Sequence, residues 1–345
     1  MTKLDLSGCP VRDVTVLAKL KNLRTLKLND TLVSDLSSLS GLPIETLELA
    51  NSTIADITPL RNLQKLISLD LSKTAVTDIT ALQGAFNLLE LKLSHTNVAD
   101  LKPLSELTGL ESLQLAHVPA TDFLSLANLG LLQYLDLSHT TFRSTEILSR
   151  MALRELNLAH TVIDDIGALS AQRDLNVVNL NDTNVQDISP IAKSELTHLH
   201  LANTHITDLE ILNGRELEVL NLDGLSLTHW PSVAVACDDL TINCENLELS
   251  AFQFDEYMDR LRLINVKPDQ GFDWLPAGLN SLEIESESGI LDVVSITKLK
   301  WLTKLRLPQG TKYSRADFEN MNGLETFYVG DELVFDRSRP NVWSQ

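Results

Sequence analysis

A chain of 345 residues with 43% hydrophobic and 22% charged side chains carries enough apolar surface for a continuous core, which excludes disorder for its bulk. A formal charge of -19 excludes a surface built to wrap nucleic acid or to lie on an anionic membrane, since either needs a basic face. Cys9, Cys237 and Cys244 make neither a disulfide framework nor a paired metal-binding pattern, and no stretch approaches the apolar length of a membrane span.

The predicted elements follow an internal period. A leading apolar position recurs at Met1, Leu23, Ile44, Leu66, Leu88, Leu110, Leu132, Leu153, Leu175, Leu196 and Leu217, at spacings of 21 or 22 residues. It continues less cleanly at Cys237, Met258, Leu279, Leu302 and Leu324, giving about 16 turns. Each unit opens as L-x-x-L-x-L, and the L-x-L portion is a period-two strand with one face apolar. Repeated in one direction, such strands stack as a parallel sheet. In the unit at Leu88, Leu91 and Leu93 point inward while Glu90 and Lys92 point outward.

After the strand comes a polar column with Thr31, Thr74, Thr96, Thr140, Thr161, Thr183 and Thr204, and Ser52 in one unit. A threonine hydroxyl donates and accepts while its methyl packs, so these predict a buried threonine ladder. Further on, Asp35, Asp56, Asp78, Asp100, Asp122, Asp165, Asp187 and Asp208 each precede an apolar residue. A carboxylate there accepts backbone N–H groups at the start of a short helical turn. Thr58-Pro59 and Ser189-Pro190 fit an N-cap followed by proline at the first helical position.

The spacing in LLELKLSHTNVADLKPL and LNVVNLNDTNVQDISPI resembles the internalin-type leucine-rich repeats of bacteria, in length and in the D-[LI]-x-P-L return. The resemblance runs from Met1 to Asn221, with threonine where that family usually has asparagine. It implies an α/β repeat fold: a curved leucine-rich-repeat solenoid, with a parallel sheet on the concave face and loops or short 3-10 turns on the convex face. It also implies protein binding. After Asp223 the pattern decays: Leu225 takes the threonine position and His229 the aspartate position. The predicted organisation is regular repeats over 1–236, then divergent repeats and a C-terminal cap over 237–345. Most aromatic residues, Phe252, Trp274, Trp301, Tyr313 and Trp343 among them, fall in that last part and are expected to fill its irregular core. No capping sequence precedes Leu4 and MTKLDLSGCP does not read as a secretory signal, so the chain is expected to be the C-terminal part of a longer protein, with a cytoplasmic setting slightly favoured.

One column carries unusual chemistry. His95, His117, His139 and His160 occupy the eighth position of four consecutive units. Duplication of an exposed residue is the plain explanation; a contact stripe that responds to pH, or a transition-metal site, are the functional ones. The outward strand positions Lys27, Glu48, Asp70, Glu90, Lys92, Tyr134, Asp136, His198 and His200 have mixed signs, which suits a protein partner rather than a phosphate polymer. Together with the four histidines they form the predicted partner-binding surface.

Nucleotide, zinc-protease and serine-hydrolase signatures are absent, and Cys237-Asp238-Asp239 matches the C-x-D of bacterial ubiquitin ligases in three letters alone. Asn29, Asn51 and Asn181 begin glycosylation sequons that the repeat code itself generates. The expectation is a monomeric, non-catalytic recognition scaffold without a cofactor or resident metal, binding a protein as a sensor domain of a larger protein or as a bacterial interaction protein. The alternative is a metal- or pH-responsive regulator working through the histidine stripe.

Overall fold

A computed structural model describes residues 1–225, 227, 236–245, 258–267, 271–290, 292–318 and 320–338. The chain divides into two compact units, Met1–Val178 with Lys193–Glu195, and Asn179–Ala192 with Leu196–Gln345. The change in repeat regularity expected near residue 237 falls inside the second unit.

In the first unit each repeat gives a three-residue strand, at Lys3–Asp5, Thr25–Lys27, Thr46–Glu48, Ser68–Asp70, Glu90–Lys92, Ser112–Gln114, Tyr134–Asp136 and Glu155–Asn157. These pair in parallel without slippage, so Leu26, Leu47, Leu69, Leu91, Leu113, Leu135 and Leu156 form one column. All seven are at most 1% exposed. Burying each such leucine contributes about 1.5–3 kcal/mol, and a shift of one residue would turn the whole column outward.

The strands are short because the chain turns away soon after them. Asp30, Asn51, Lys73, His95, His117, His139 and His160 all adopt the left-handed backbone conformation, with φ between 55° and 60°. Asparagine, aspartate and histidine are the side-chain-bearing residues that enter that region most readily. The eighth position is therefore first of all a backbone position. Its N–H crosses to the next turn, as in His95 to Ala116 O at 2.8 Å and Asn51 to Ser72 O at 2.8 Å.

Threonine follows. The Thr96 hydroxyl donates to Leu93 O at 2.7 Å, and Thr31, Thr74, Thr140 and Thr161 repeat the contact at 2.6–2.7 Å. These bonds close each turn on itself rather than joining neighbouring turns. Asparagines one place before the left-handed residue do reach across: Asn29 Oδ1 accepts Ala50 N–H at 2.9 Å, and in the second unit Asn181 Oδ1 accepts Ala202 N–H at 2.7 Å.

The return path holds 3-10 turns such as Ser37–Leu39, Thr58–Asn62, Thr80–Leu82 and Lys102–Leu104. The aspartate column heads them as expected, with Asp35, Asp56, Asp78 and Asp100 accepting the N–H two residues on at 2.8–2.9 Å. One detail is corrected. Thr58 and Ser189 are the first residues of their turns, with proline second and Ile57 or Ile188 in the cap position. The aspartate, one residue further out, supplies the acceptor that a capping hydroxyl would have given.

The second unit keeps the register although its letters change. Leu220, Leu240, Leu261, Leu282, Leu305 and Phe327 pair as one column, and the expected leading residues Leu217, Cys237, Met258, Leu279, Leu302 and Leu324 are all buried. The last parallel strand, Thr326–Val329, is covered by the antiparallel Glu332–Asp336. Tyr313, Phe318 and Phe327 pack ring against ring at 4.6–6.2 Å beside it, the aromatic filling expected of a divergent end. Trp301, by contrast, is 72% exposed. Leu225 is buried in the threonine position; His229, Phe252 and Trp343 lie outside the described residues.

Candidate functional site

The outward strand positions of the first unit form two files, one on each side of the inward leucine, half-buried except at Lys3, Asp5 and Glu155, which are exposed. In the file after the leucine, Lys27 Nζ meets Glu48 Oε1 at 2.7 Å and Asn29 donates to the same carboxylate at 2.7 Å. In the file before it, Glu90 accepts from the Ser68 hydroxyl at 2.8 Å and pairs with Lys92 at 3.1 Å. The Lys27 ammonium is held above its ordinary range by its hydrogen bond and charge contact with Glu48. These are partly exposed pairs, which fix side-chain positions more than they stabilise the fold.

Not all the predicted outer-face residues are equally available. Asp70 Oδ1 accepts Ser72 N–H and Asp136 Oδ1 accepts Ser138 N–H, both at 2.9 Å. Asn157 and Asn179 make the same contact two residues on. Acidic or amide residues at the strand end thus brace the exit of the strand, a role visible in sequence as Asp or Asn at the last strand position, two places before Ser72, Ser138, Ala159 and Asn181. Tyr134 stands in the other file, paired in register with Ser112 and Glu155. Partial burial, then the Asp136 and Glu155 charges, push its phenol above its usual value.

The histidines are brought together as a stack. Ring centroids lie 4.2 Å apart from His95 to His117, 4.0 Å from His117 to His139 and 4.0 Å from His139 to His160, with interplanar angles of 12–20°. All four side chains are exposed. Loss of water around the stacked ring, then the charge His117 carries when protonated, lowers the His95 pKa from the ordinary histidine value, with Lys73 acting in the same sense and Asp136 opposing. His139 is lowered in the same way, by desolvation and then by His117 and His160. Among the described residues, no group of three or more His, Cys, Asp or Glu side chains could hold a metal ion.

His198 and His200 belong to the second unit. His198 Nδ1 lies 3.0 Å from the Thr197 hydroxyl and its Nε2 3.7 Å from Glu218. Burial lowers the His200 pKa, with the His198 charge adding to the effect. On the same unit, Arg262 bonds Glu285 and lies 3.8 Å from Glu283, and Arg306 sits 3.4 Å from Glu283 and over the Tyr328 ring at 4.8 Å. This interlocked row was not among the expected site residues. Its sequence signal is weak, because each member belongs to a degenerate repeat.

Cys237 is buried, and burial pushes its thiol up to about 12. A thiol in that state is not a nucleophile at neutral pH, which removes the chemistry behind the three-letter ligase match. No helix among the described residues is long and apolar enough to cross a membrane.

No known family model matches the sequence, and no curated protein matches it. Solved structures do. An internalin from Listeria monocytogenes aligns over 95% of this chain and 86% of its own, with 21% identity and a TM-score of 0.55. A leucine-rich-repeat protein from Leptospira interrogans aligns over 96% and 90%, with 18% identity and a TM-score of 0.64. The leucine-rich-repeat ectodomain of a plant membrane receptor kinase from Arabidopsis thaliana, in complex with Casparian strip integrity factor 2, aligns over 94% and 52%, with 18% identity and a TM-score of 0.55. At these identities the likeness is one of fold, and with the register and turns described above it shows the chain to be a leucine-rich-repeat solenoid.

Proposed function

We propose that the protein is a non-catalytic recognition scaffold whose outer strand face, the concave face of such solenoids, binds a protein partner. One observation carries this reading. In the first unit the inward strand position is leucine in each of the eight strands from Lys3–Asp5 to Glu155–Asn157 and valine at Val178, whereas the outward positions flanking it vary from Thr25 and Lys27 to Glu90 and Lys92 to Tyr134 and Asp136. A rigid register that presents a different side chain at each step is suited to reading a macromolecular surface. The mixed charges favour protein over a phosphate polymer, and Tyr134 is the aromatic anchor. Lys27, Glu48, Glu90, Lys92 and Tyr134 supply the contacts, while Asp70 and Asp136 mainly brace the turns. In the second unit His198 and His200 present the same kind of outward position. The internalin-type character of the repeats, and a place as sensor domain or bacterial interaction protein, belong to this reading as well.

The test is affinity capture followed by cross-link mapping. Tyr134→Ala with Lys92→Ala is expected to lower partner affinity by about tenfold or more, the effect typical of losing an anchor and its neighbour. Leu124→Ala with Leu131→Ala, two exposed positions away from the strands, is expected to leave capture unchanged. The opposite pattern would overturn the proposal.

A further inference from the structure

The chain holds 47 acidic against 28 basic residues, yet residues 293–316 contain Lys298, Lys300, Lys304, Arg306, Lys312 and Arg315 and no carboxylate side chain. The reversal coincides with the turn of the second unit that carries the strand Lys304–Leu307. Within it, Lys298 pairs with Asp273 at 2.7 Å, and Arg306 lies 3.4 Å from Glu283 and 3.3 Å from Asp331. Lys300 and Lys304 are exposed, and no ion pair among the described residues uses them. Glu325, on the following turn, approaches through its backbone N–H, which donates to Thr303 O at 2.8 Å.

Between those two lysines in the chain stands Trp301, 72% exposed, and Val294 of the same turn is 64% exposed. The exposure of the ring has a local cause. Ser281, Lys304 and Thr326 are in register, so the residues three places ahead of them, Gly278, Trp301 and Gly323, hold one position on three successive turns. Neither glycine has a side chain to cover the indole. A Cβ at Gly323 would lie 3.0 Å from Lys300 O and 3.3 Å from Leu302 O, so glycine there lets the next turn close on the backbone that carries Trp301. Leu302 beside it is buried, and Thr303 N–H donates to Asn280 O at 2.8 Å. The ring is thus mounted on a fixed backbone and left in solvent. A single exposed apolar residue signifies little. An aromatic ring on rigid backbone, with an exposed cation on either side in a chain of net charge -19, has the composition of a contact point.

We propose that Trp301 with Lys300 and Lys304 is a docking point for an acidic segment of a protein partner, in which one apolar side chain packs on the indole and flanking carboxylates meet the two ammoniums. The proposal rests on the reading of the chain as a recognition scaffold and adds a contact on the second unit. The four residues of chain from Lys300 to Lys304 span at most about 14 Å. An extended peptide repeats its side chains on one side about every 6.6–6.8 Å, so carboxylates two residues before and two after the apolar one stand about 13 Å apart. The two spans match. Asp273 holds Lys298, and Glu283 lies between Arg262 and Arg306, so positive charge is set at discrete points. An anionic lipid surface or a phosphate polymer calls instead for a continuous basic cluster. At physiological ionic strength screening acts within about 8 Å, so these local cations outweigh the distant acidic surface.

The probe is a short labelled peptide of glutamate and glycine, with a central leucine and a glutamate two residues to either side of it, followed by fluorescence anisotropy on the full chain. Trp301→Ala is expected to weaken binding by about tenfold or more, and Lys300→Glu with Lys304→Glu to do the same. Tyr134→Ala with Lys92→Ala is expected to leave it unchanged. The three substituted side chains of the docking point are exposed, and circular dichroism checks the fold; Lys300→Gln with Lys304→Gln serves if the charge reversal does not fold. Several results would each overturn the proposal: no saturable binding by the parent chain, undiminished binding by Trp301→Ala or by the lysine variants, or equal binding of a lysine–glycine peptide with the same leucine. Tighter binding of phosphatidylserine vesicles or of oligothymidine than of the peptide would overturn it as well, and so would a loss in the Tyr134 and Lys92 variant. Peptide binding that fails while outer-face capture persists would sink the docking point alone; the scaffold reading falls only with the Tyr134 and Lys92 capture experiment.

Discussion

Thr96 and Ser52 occupy equivalent places in two repeats and do different things there. Thr96 is 3% exposed and its hydroxyl bonds Leu93 O; Ser52 is 8% exposed and its hydroxyl has no partner. A buried hydroxyl with a partner contributes about 1 kcal/mol, whereas one without a partner costs its desolvation. Thr96→Ala is therefore expected to destabilise the chain by about 1–2 kcal/mol, counting the lost methyl, while Ser52→Ala is neutral or stabilising. Urea melts of the two variants decide it, and equal losses would show that the hydroxyl bond is not what matters. That a polar ladder lies here was legible in the sequence, since the hydroxyl column stands out against leucine. Whether each hydroxyl finds a partner was not, because Thr96 and Ser52 carry the same hydroxyl and differ only in the methyl that serine lacks. The left-handed column was legible in principle. Gly8, Asp30, Asn51, the four histidines, Asp182 and Asn203 are residue types that enter this region most readily, and all of them do, whereas Lys73 adopts the same conformation without being such a type. Read as chemistry alone, His95 hides that backbone requirement.

At the scale of the element, the aspartates that head the 3-10 turns tie stability to pH. Hydrogen bonds from the residue two places on hold Asp13, Asp35, Asp56, Asp78 and Asp187 below the usual carboxylate range. A group whose folded pKa lies below its unfolded value binds its proton more tightly when unfolded. Its contribution is complete above the unfolded value, near 3.9, and is lost as pH falls through the folded one. Because the carboxylates are exposed, each contribution is small, but the repeat multiplies it. Replacing Asp35, Asp56 and Asp78 together by Ala is expected to lower the melting temperature at neutral pH and to flatten its decline below about pH 4. Parallel melting curves across the acid range for variant and parent would refute the cap. These turns were readable because Asp recurs at a fixed offset from the leucine; the one-residue error at Thr58 arose because a capping hydroxyl and a first-turn hydroxyl look alike in sequence. The register itself survived into the second unit, where Cys237 and Met258 stand in for leucine, because volume and apolarity rather than identity fill the core. The Arg262, Glu283 and Arg306 row did not announce itself, since cross-strand pairs among degenerate repeats become visible only once the strands are aligned.

At the scale of the molecule, a solenoid turns any charged column into a line of like charges. The aspartate heads show this directly: Asp35 disfavours the charge on Asp56, and Asp56 that on Asp78. With a formal charge of -19 over 345 residues, such lines leave net self-repulsion in the folded state. Local pairs such as Lys27 with Glu48 and Lys298 with Asp273, each at 2.7 Å, offset only part of it. Raising salt from about 0.01 M to about 0.3 M shortens the screening length from about 30 Å to roughly 6 Å, less than the distance between most charges of a column and their second neighbours. Screening weakens the attractive pairs as well, but contact pairs lose less than the longer-range repulsions. Melting temperature is therefore expected to rise with salt at neutral pH; each ~1 kcal/mol gained moves the midpoint by about 2–4 °C in a unit of this size. Sucrose at equal osmolality controls for solvent exclusion and must reproduce less than the full shift. A melting temperature that falls with salt would mean that the ion pairs of the strand face outweigh the repulsion along the columns.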